Sequence, residues 1–165
     1  DYAVKVKAQE KEKRKVLGAR QEIYRKFWSQ LIERSKARTE LWANRSTTTG
    51  SWLPAGIGRQ GLTLATVLRE QTGRVECYIR HPGGEAKSKA AFQALLEQKE
   101  AIEDRFGEPL DWQELPERQG CRICKEVQGG WKSPESEWPA IQDRLIDSLT
   151  RLEAALRKPI QELKL

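Results

Sequence analysis

The chain has 165 residues, a third of them charged, and carries a net charge of +6. That is the length of one domain able to bury roughly two-thirds of the surface its unfolded form exposes. No run approaches the ~18 apolar residues of a membrane-spanning helix and no basic-then-apolar leader opens the chain, so no membrane helix is expected and the protein is read as cytoplasmic.

From about Lys7 to Arg38 the sequence predicts one long helix, in which Tyr24, Phe27, Trp28, Leu31 and Ile32 recur at three- and four-residue steps as an apolar stripe. The earlier part has only Val16 and Leu17 as sizeable apolar anchors around Gly18. It is read as projecting. Leu41 and Trp42 precede a polar loop over 44–50, and three strands follow, at about 51–57, 61–70 and 74–80, as an antiparallel meander. In the third, Val75, Cys77 and Ile79 alternate toward a core while Arg74, Glu76, Tyr78 and Arg80 are expected on a wet face.

After His81-Pro82-Gly83-Gly84, the segment 85–106 reads as one helix with Phe92, Leu95, Leu96, Ile102 and Phe106 as its stripe and Gly107 as its stop. Two short strands, 110–115 and 120–127, are joined through Pro116 and Arg118. Pro139 suits the first turn of a closing helix whose Ile141, Leu145, Leu149, Leu152 and Leu156 repeat until Pro159. The predicted fold class is α/β in the α+β sense: a long N-terminal helix, a three-stranded antiparallel meander, a helix, one or two further strands and a C-terminal helix. Residues 1–20 form a basic helical connector and 21–165 a single α+β domain. With Asp1 first and no methionine anywhere, the chain is expected to follow an upstream domain in a longer polypeptide.

Helix, meander, helix, strand is also the element order of the PD-(D/E)XK nucleases, which need an acid near the second strand and Glu-x-Lys or Asp-x-Lys on the third to hold a divalent cation and assist the attacking water. Here the second strand opens Gly61-Leu62-Thr63 and the third offers Glu76-Cys77-Tyr78, while Glu70 lies at the wrong end of its strand. Glu85 with Lys87 and Glu97 with Lys99 fall on a helix, where residues two apart face different ways. Cys121-x-x-Cys124 lacks a second ligand pair, with only Cys77 and His81 left, and on a strand its two thiols point to opposite faces. Three cysteines at such spacings suit a reducing compartment and small buried residues. Gly56-x-Gly58-x-x-Gly61 matches the dinucleotide fingerprint in letters, but leads into a strand rather than a helix, so a Gly-rich hairpin or bulge is expected. Trp28 and Trp52 are read as core.

Several blocks together resemble one prokaryotic family, the domain of unknown function 4268. They are Phe27-Trp28, Trp52 with Gly56-x-Gly58, Arg74–Ile79, Lys99 with Ile102-Glu103 and Phe106-Gly107, Leu110 with Trp112, Arg122-Ile123, and Trp138-Pro139. The resemblance runs from about Tyr24 to the end. It implies the C-terminal part of bacterial and archaeal proteins whose N-terminal part is often nuclease-like, hence a restriction or phage-defence setting, and it carries over no catalytic residue.

The expected function is a non-catalytic accessory domain that helps a linked nuclease-like or defence protein engage DNA or RNA, or assemble. Its contact residues are Lys7, Lys11, Lys13, Arg14, Lys15 and Arg20, the densest run of one charge in the chain. Glu10 with Arg14 and Glu22 with Lys26 are spaced to form i,i+4 pairs that would instead serve a solvated helix. No catalytic residue, metal or cofactor is assigned. The alternatives are a homodimerisation or protein-interaction module without nucleic-acid contact, anchored by Trp112, Trp131 or Trp138, and a diverged PD-(D/E)XK-type nuclease.

Overall fold

Good helix formers fill the N-terminal segment, and Tyr2–Ser35 is one uninterrupted helix, α1. Asp1 caps it by accepting the Ala3 N–H at 3.2 Å, so the helix begins before Lys7. It closes before Arg38, where the backbone tightens through Lys36 N–H to the Glu33 carbonyl. The structure is a computed structural model that describes residues 1–116 and 120–165; Arg118, expected in the β4–β5 connection, lies outside the described residues.

The meander forms as read, with β1 Trp52–Arg59, β2 Leu62–Leu68 and β3 Thr72–Ile79. Two later strands, β4 Asp111–Glu114 and β5 Cys121–Gln128, complete a five-stranded antiparallel sheet of order β1-β2-β3-β5-β4. The β1–β2 register shifts between Gly56 and Arg59, and Gly58 and Gly61 adopt φ of 81° and 89°. The glycine-rich run is therefore a bulged hairpin, with glycine at the left-handed positions.

Among the described residues four α-helices serve this sheet. The segment 85–106 is two helices, α2 Glu85–Leu96 and α3 Lys99–Phe106, and not one. Gln98 leaves helical geometry at φ −103° and ψ 16°, which frees α2 to lie on β3, β4 and β5 and α3 to pack against the last helix, α4. The apolar spacing across the break suits one continuous stripe, so the period does not register it. α4, Trp138–Gln161, holds Pro139 in its first turn and continues past Pro159. A proline so near the end forfeits only one late backbone bond, and Glu162 and Leu163 close the helix by donating to Lys158 and Ile160.

α4 spans β1, β2, β3 and β5, and α1 packs on α4. Phe27, Trp28 and Trp138 meet edge to face, with ring centroids 5.3 Å apart in each Phe27 contact. Trp28 is fully buried and donates its Nε1–H to the Gly50 carbonyl at 2.8 Å, tying the 44–50 loop to α1. Tyr24 reaches across to the Leu68 carbonyl at 3.1 Å. The sheet's core side carries Leu53, Leu64, Val75, Cys77, Ile79 and Ile123. No helix among the described residues is long and apolar enough to cross a membrane.

One carboxylate organises the α3–β4 corner. Glu103 Oε2 accepts the Leu110 N–H at 2.7 Å and the Trp112 Nε1–H at 3.1 Å. Burial pushes its pKa up, but these donors and Lys99 outweigh that and hold it below the ordinary 4.5. Glu103→Ala should lower stability by about 1–2 kcal/mol. Because the folded pKa is depressed, this contribution is full above the ordinary glutamate range and fades as pH falls through the folded value. Urea melts of parent and variant should therefore converge in acid and separate at neutral pH.

Candidate functional site

The six cations singled out in the sequence all sit on α1, but they do not form one patch. At 100° per residue, Lys7, Lys11 and Arg14 share one face, with Lys15 beside it. Lys13 and Arg20 lie on the other side, in line with Tyr24 and Phe27. Residues 1–20 hold seven cations against three acids, and all but Val6 are exposed. Among the described residues no carboxylate comes within ion-pairing distance of Lys7, Lys11, Lys13, Arg14 or Lys15. The expected Glu10–Arg14 and Glu22–Lys26 pairs do not form. Glu22 turns to Arg25, and Lys26 reaches Glu135 at 2.9 Å because its face borders the turn that leads into α4.

Arg20 marks the foot of the projecting segment. Its guanidinium lies 5.8 Å from the centre of the Trp131 ring, with Lys132 Nζ 5.7 Å from the same ring and Tyr24 edge-on at 6.4 Å. Trp131 is half-buried against the core. An indole ring with two cations within about 6 Å of its centre is a cation–π arrangement, and it lies where the cationic helix meets the domain body.

The second polar cluster occupies the sheet face turned away from the helices. Register places Trp52, Ala65, Val67, Arg74, Glu76, Tyr78, Arg122 and Cys124 on that side. Glu76 was expected on a wet face, yet it is only 2% exposed. Its Oε1 lies 2.9 Å from Arg74 Nε and 3.2 Å from Arg122 Nε, and Trp52 donates to its Oε2 at 3.4 Å. Arg122 Nε is off the line of a hydrogen bond to that oxygen, so its contact is an ion pair alone. Trp52, read as core, instead lies on this face and is 41% exposed. To reach Glu76 on β3 from β1 its indole must cross β2, where Ala65 is fully buried. The long side chains of this face close over its centre.

Glu76 is thus the counter-ion of two arginines. Glu70, after β2, pairs with Lys132 at 3.1 Å. Among the described residues no three His, Cys, Asp or Glu side chains gather as metal ligands would. Cys121 and Cys124 face opposite sides of β5, and all three thiols are free and buried. Burial pushes Cys77 up to about 12 and Cys124 up to about 11, far from the thiolate a ligand or nucleophile requires. His81 is held in a turn, its Nδ1 accepting the Gly83 N–H at 2.9 Å. Of the tryptophans considered as interface anchors, Trp138 is 2% exposed and belongs to the core, while Trp112 packs on Phe92 and donates to Glu103.

The Trp131 cluster and the split of the cations between two helix faces escaped the sequence reading. The split was available from the helical angles; the cluster, which joins positions more than a hundred residues apart, was not. A family described as a domain of unknown function, DUF4268, matches residues 23–160, nearly the whole chain beyond the projecting segment. None of the curated proteins and none of the solved structures compared with the chain matches it.

Proposed function

The chain belongs to the DUF4268 family, whose description carries no activity, and from its exposed cationic helix, together with the setting that the family resemblance implies, we propose a non-catalytic accessory domain of a larger prokaryotic nuclease-like or defence protein. In this reading it lies in the cytoplasm, is linked to an upstream domain, and helps that protein engage DNA or RNA. The observation that carries the proposal is the cationic face of α1 standing clear of the core. Lys7, Lys11 and Arg14 rise in steps of four and three residues over about 10 Å of helix, some three phosphate steps along one strand. With no carboxylate among the described residues paired to them, their charge is available to a polyanion. Arg20 and Lys132 beside Trp131 form a second, separate cationic patch on the opposite side of α1, where it meets the body.

Phosphate contacts position without reading sequence. Changing Lys11, Arg14 and Lys15 together to Gln should therefore weaken binding to short oligonucleotides uniformly across sequences, with helix content and melting temperature retained because none of the three touches the core. Mobility shift and fluorescence anisotropy at low salt are the measurements. Unchanged affinity, or no binding by the parent, would sink the reading.

A further inference from the structure

We propose that the nucleic acid held by α1 is double-stranded DNA of the B form, with the projecting part of the helix lying in its major groove and a cationic flank turned to each strand. This rests on the reading of α1 as a nucleic-acid contact and names its substrate class. The division of the charge carries it. At 100° per residue, Lys7, Lys11, Arg14 and Lys15 centre on one side of the helix, and Lys5, Lys13 and Arg20 on the side about 180° away. Glu10 and Glu12 fall in the two gaps between these sides, one in each. All seven cations are exposed, and among the described residues none lies within ion-pairing distance of a carboxylate.

A single strand offers one line of phosphates and can follow only one of these sides. The major groove of B-DNA is about 12 Å wide and a helix with its side chains about 10–12 Å across, so a helix seated there meets a phosphate line on each flank. The second flank also runs off the helix onto the body, because Arg20 and Lys132 both lie beside the Trp131 ring. A guanidinium stacked on a ring keeps its N–H fork for phosphate oxygens. Of the two gaps, the one that holds Ala8, Glu12 and Ala19 faces the bases. Its alanines keep the helix shallow where it nears the groove floor, whereas the other gap carries Val6, Leu17 and Gln21. It is also the gap turned from the body. The core-docking row of Tyr24, Phe27 and Leu31 lies about 110° from it and about 60° from the other. Glu12 then faces base edges, where cytosine and adenine amino groups are donors.

Fluorescence anisotropy of the 165-residue chain at low salt, with a short DNA duplex, its separated strand and the RNA duplex of the same sequence, tests the proposal. The DNA duplex should bind at least about tenfold tighter than either, since the major groove of A-form RNA is too deep and narrow to admit a helix. Lys5→Gln with Lys13→Gln should weaken duplex binding and lower its salt slope by about 1.8, two contacts at about 0.9 each. Single-strand affinity and melting temperature should not move. Ala8→Trp with Ala19→Trp should weaken the duplex alone. Single strands or duplex RNA bound as tightly as duplex DNA overturn the proposal and leave α1 as a nucleic-acid contact, whereas binding of none of the three overturns both. A duplex affinity that ignores the Lys5 and Lys13 substitutions overturns the two-sided placement, and one that ignores those at Ala8 and Ala19 overturns the choice of groove-facing side.

Discussion

Trp28→Ala is expected to lower the unfolding free energy by about 3–5 kcal/mol, the range for truncating a large aromatic in a packed core. Trp28 is fully buried and stacks edge to face on Phe27, which in turn meets Trp138 at the start of α4. Truncation leaves a cavity in the core beside Phe27, and the Gly50 carbonyl loses the indole N–H it accepts at 2.8 Å. The stub cannot be refilled cheaply, because the neighbouring rings are fixed by helices on both sides. Equilibrium urea unfolding of the full chain measures it. Stability unaltered with binding lost would place Trp28 at an interface instead.

Glu76→Ala should be the other large effect, about 2–3 kcal/mol, because it removes the carboxylate that pairs with both the Arg74 and the Arg122 guanidinium groups on the open side of the sheet. Both arginines keep some exposure, 21% and 17% of the side chain, which lets them turn toward water and holds the loss below that of a fully buried charge. Trp52 also loses its acceptor. Any nuclease activity of a longer polypeptide carrying this domain should survive the substitution at temperatures where the domain stays folded. Metal-dependent cleavage that disappears with Glu76 while the fold persists would contradict its role as a counter-ion.

Glu76 also shows where sequence reasoning stops. Period-two alternation placed Val75, Cys77 and Ile79 toward the core and Glu76 on the other face, and both placements hold. Alternation reports a side of the sheet, not exposure. The centre of the outer face is covered by long side chains from neighbouring strands, and β5 lies beside β3 only through a pairing that no local pattern encodes. Trp52 was misread for the same reason: a Trp-Leu-Pro context is apolar whichever way the first side chain points. The helical stripes of α1 and α4 were legible because they repeat over many turns, whereas the two-residue break between α2 and α3 leaves the spacing of Leu95, Ile102 and Phe106 intact.

For the candidate interface, composition located the cations and nothing more. Counting charges along residues 5–20 treats Lys13 and Arg20 as equivalent to Lys7, Lys11 and Arg14. The helix separates them, one set toward solvent on a continuous stripe and the other along the face that becomes the core-docking surface at Ile23 and Phe27. The aromatic at the foot of that helix comes from the far end of the chain, and only the packing of α1 against α4 brings Arg20 to Trp131.

The salt dependence of nucleic-acid binding tests the proposed role most directly. If the outward stripe of α1 contacts phosphates, the logarithm of affinity should fall linearly with the logarithm of salt concentration, with a slope of about 0.9 per phosphate on duplex or about 0.7 on single strands. For the four cations Lys7, Lys11, Arg14 and Lys15 that is a slope near −3 to −4. Replacing Lys11, Arg14 and Lys15 with Gln should reduce it by about 2 to 3 while leaving sequence preference unchanged. A parent whose affinity does not respond to salt, or a slope that the three substitutions leave intact, would contradict the assignment of this helix as the nucleic-acid contact.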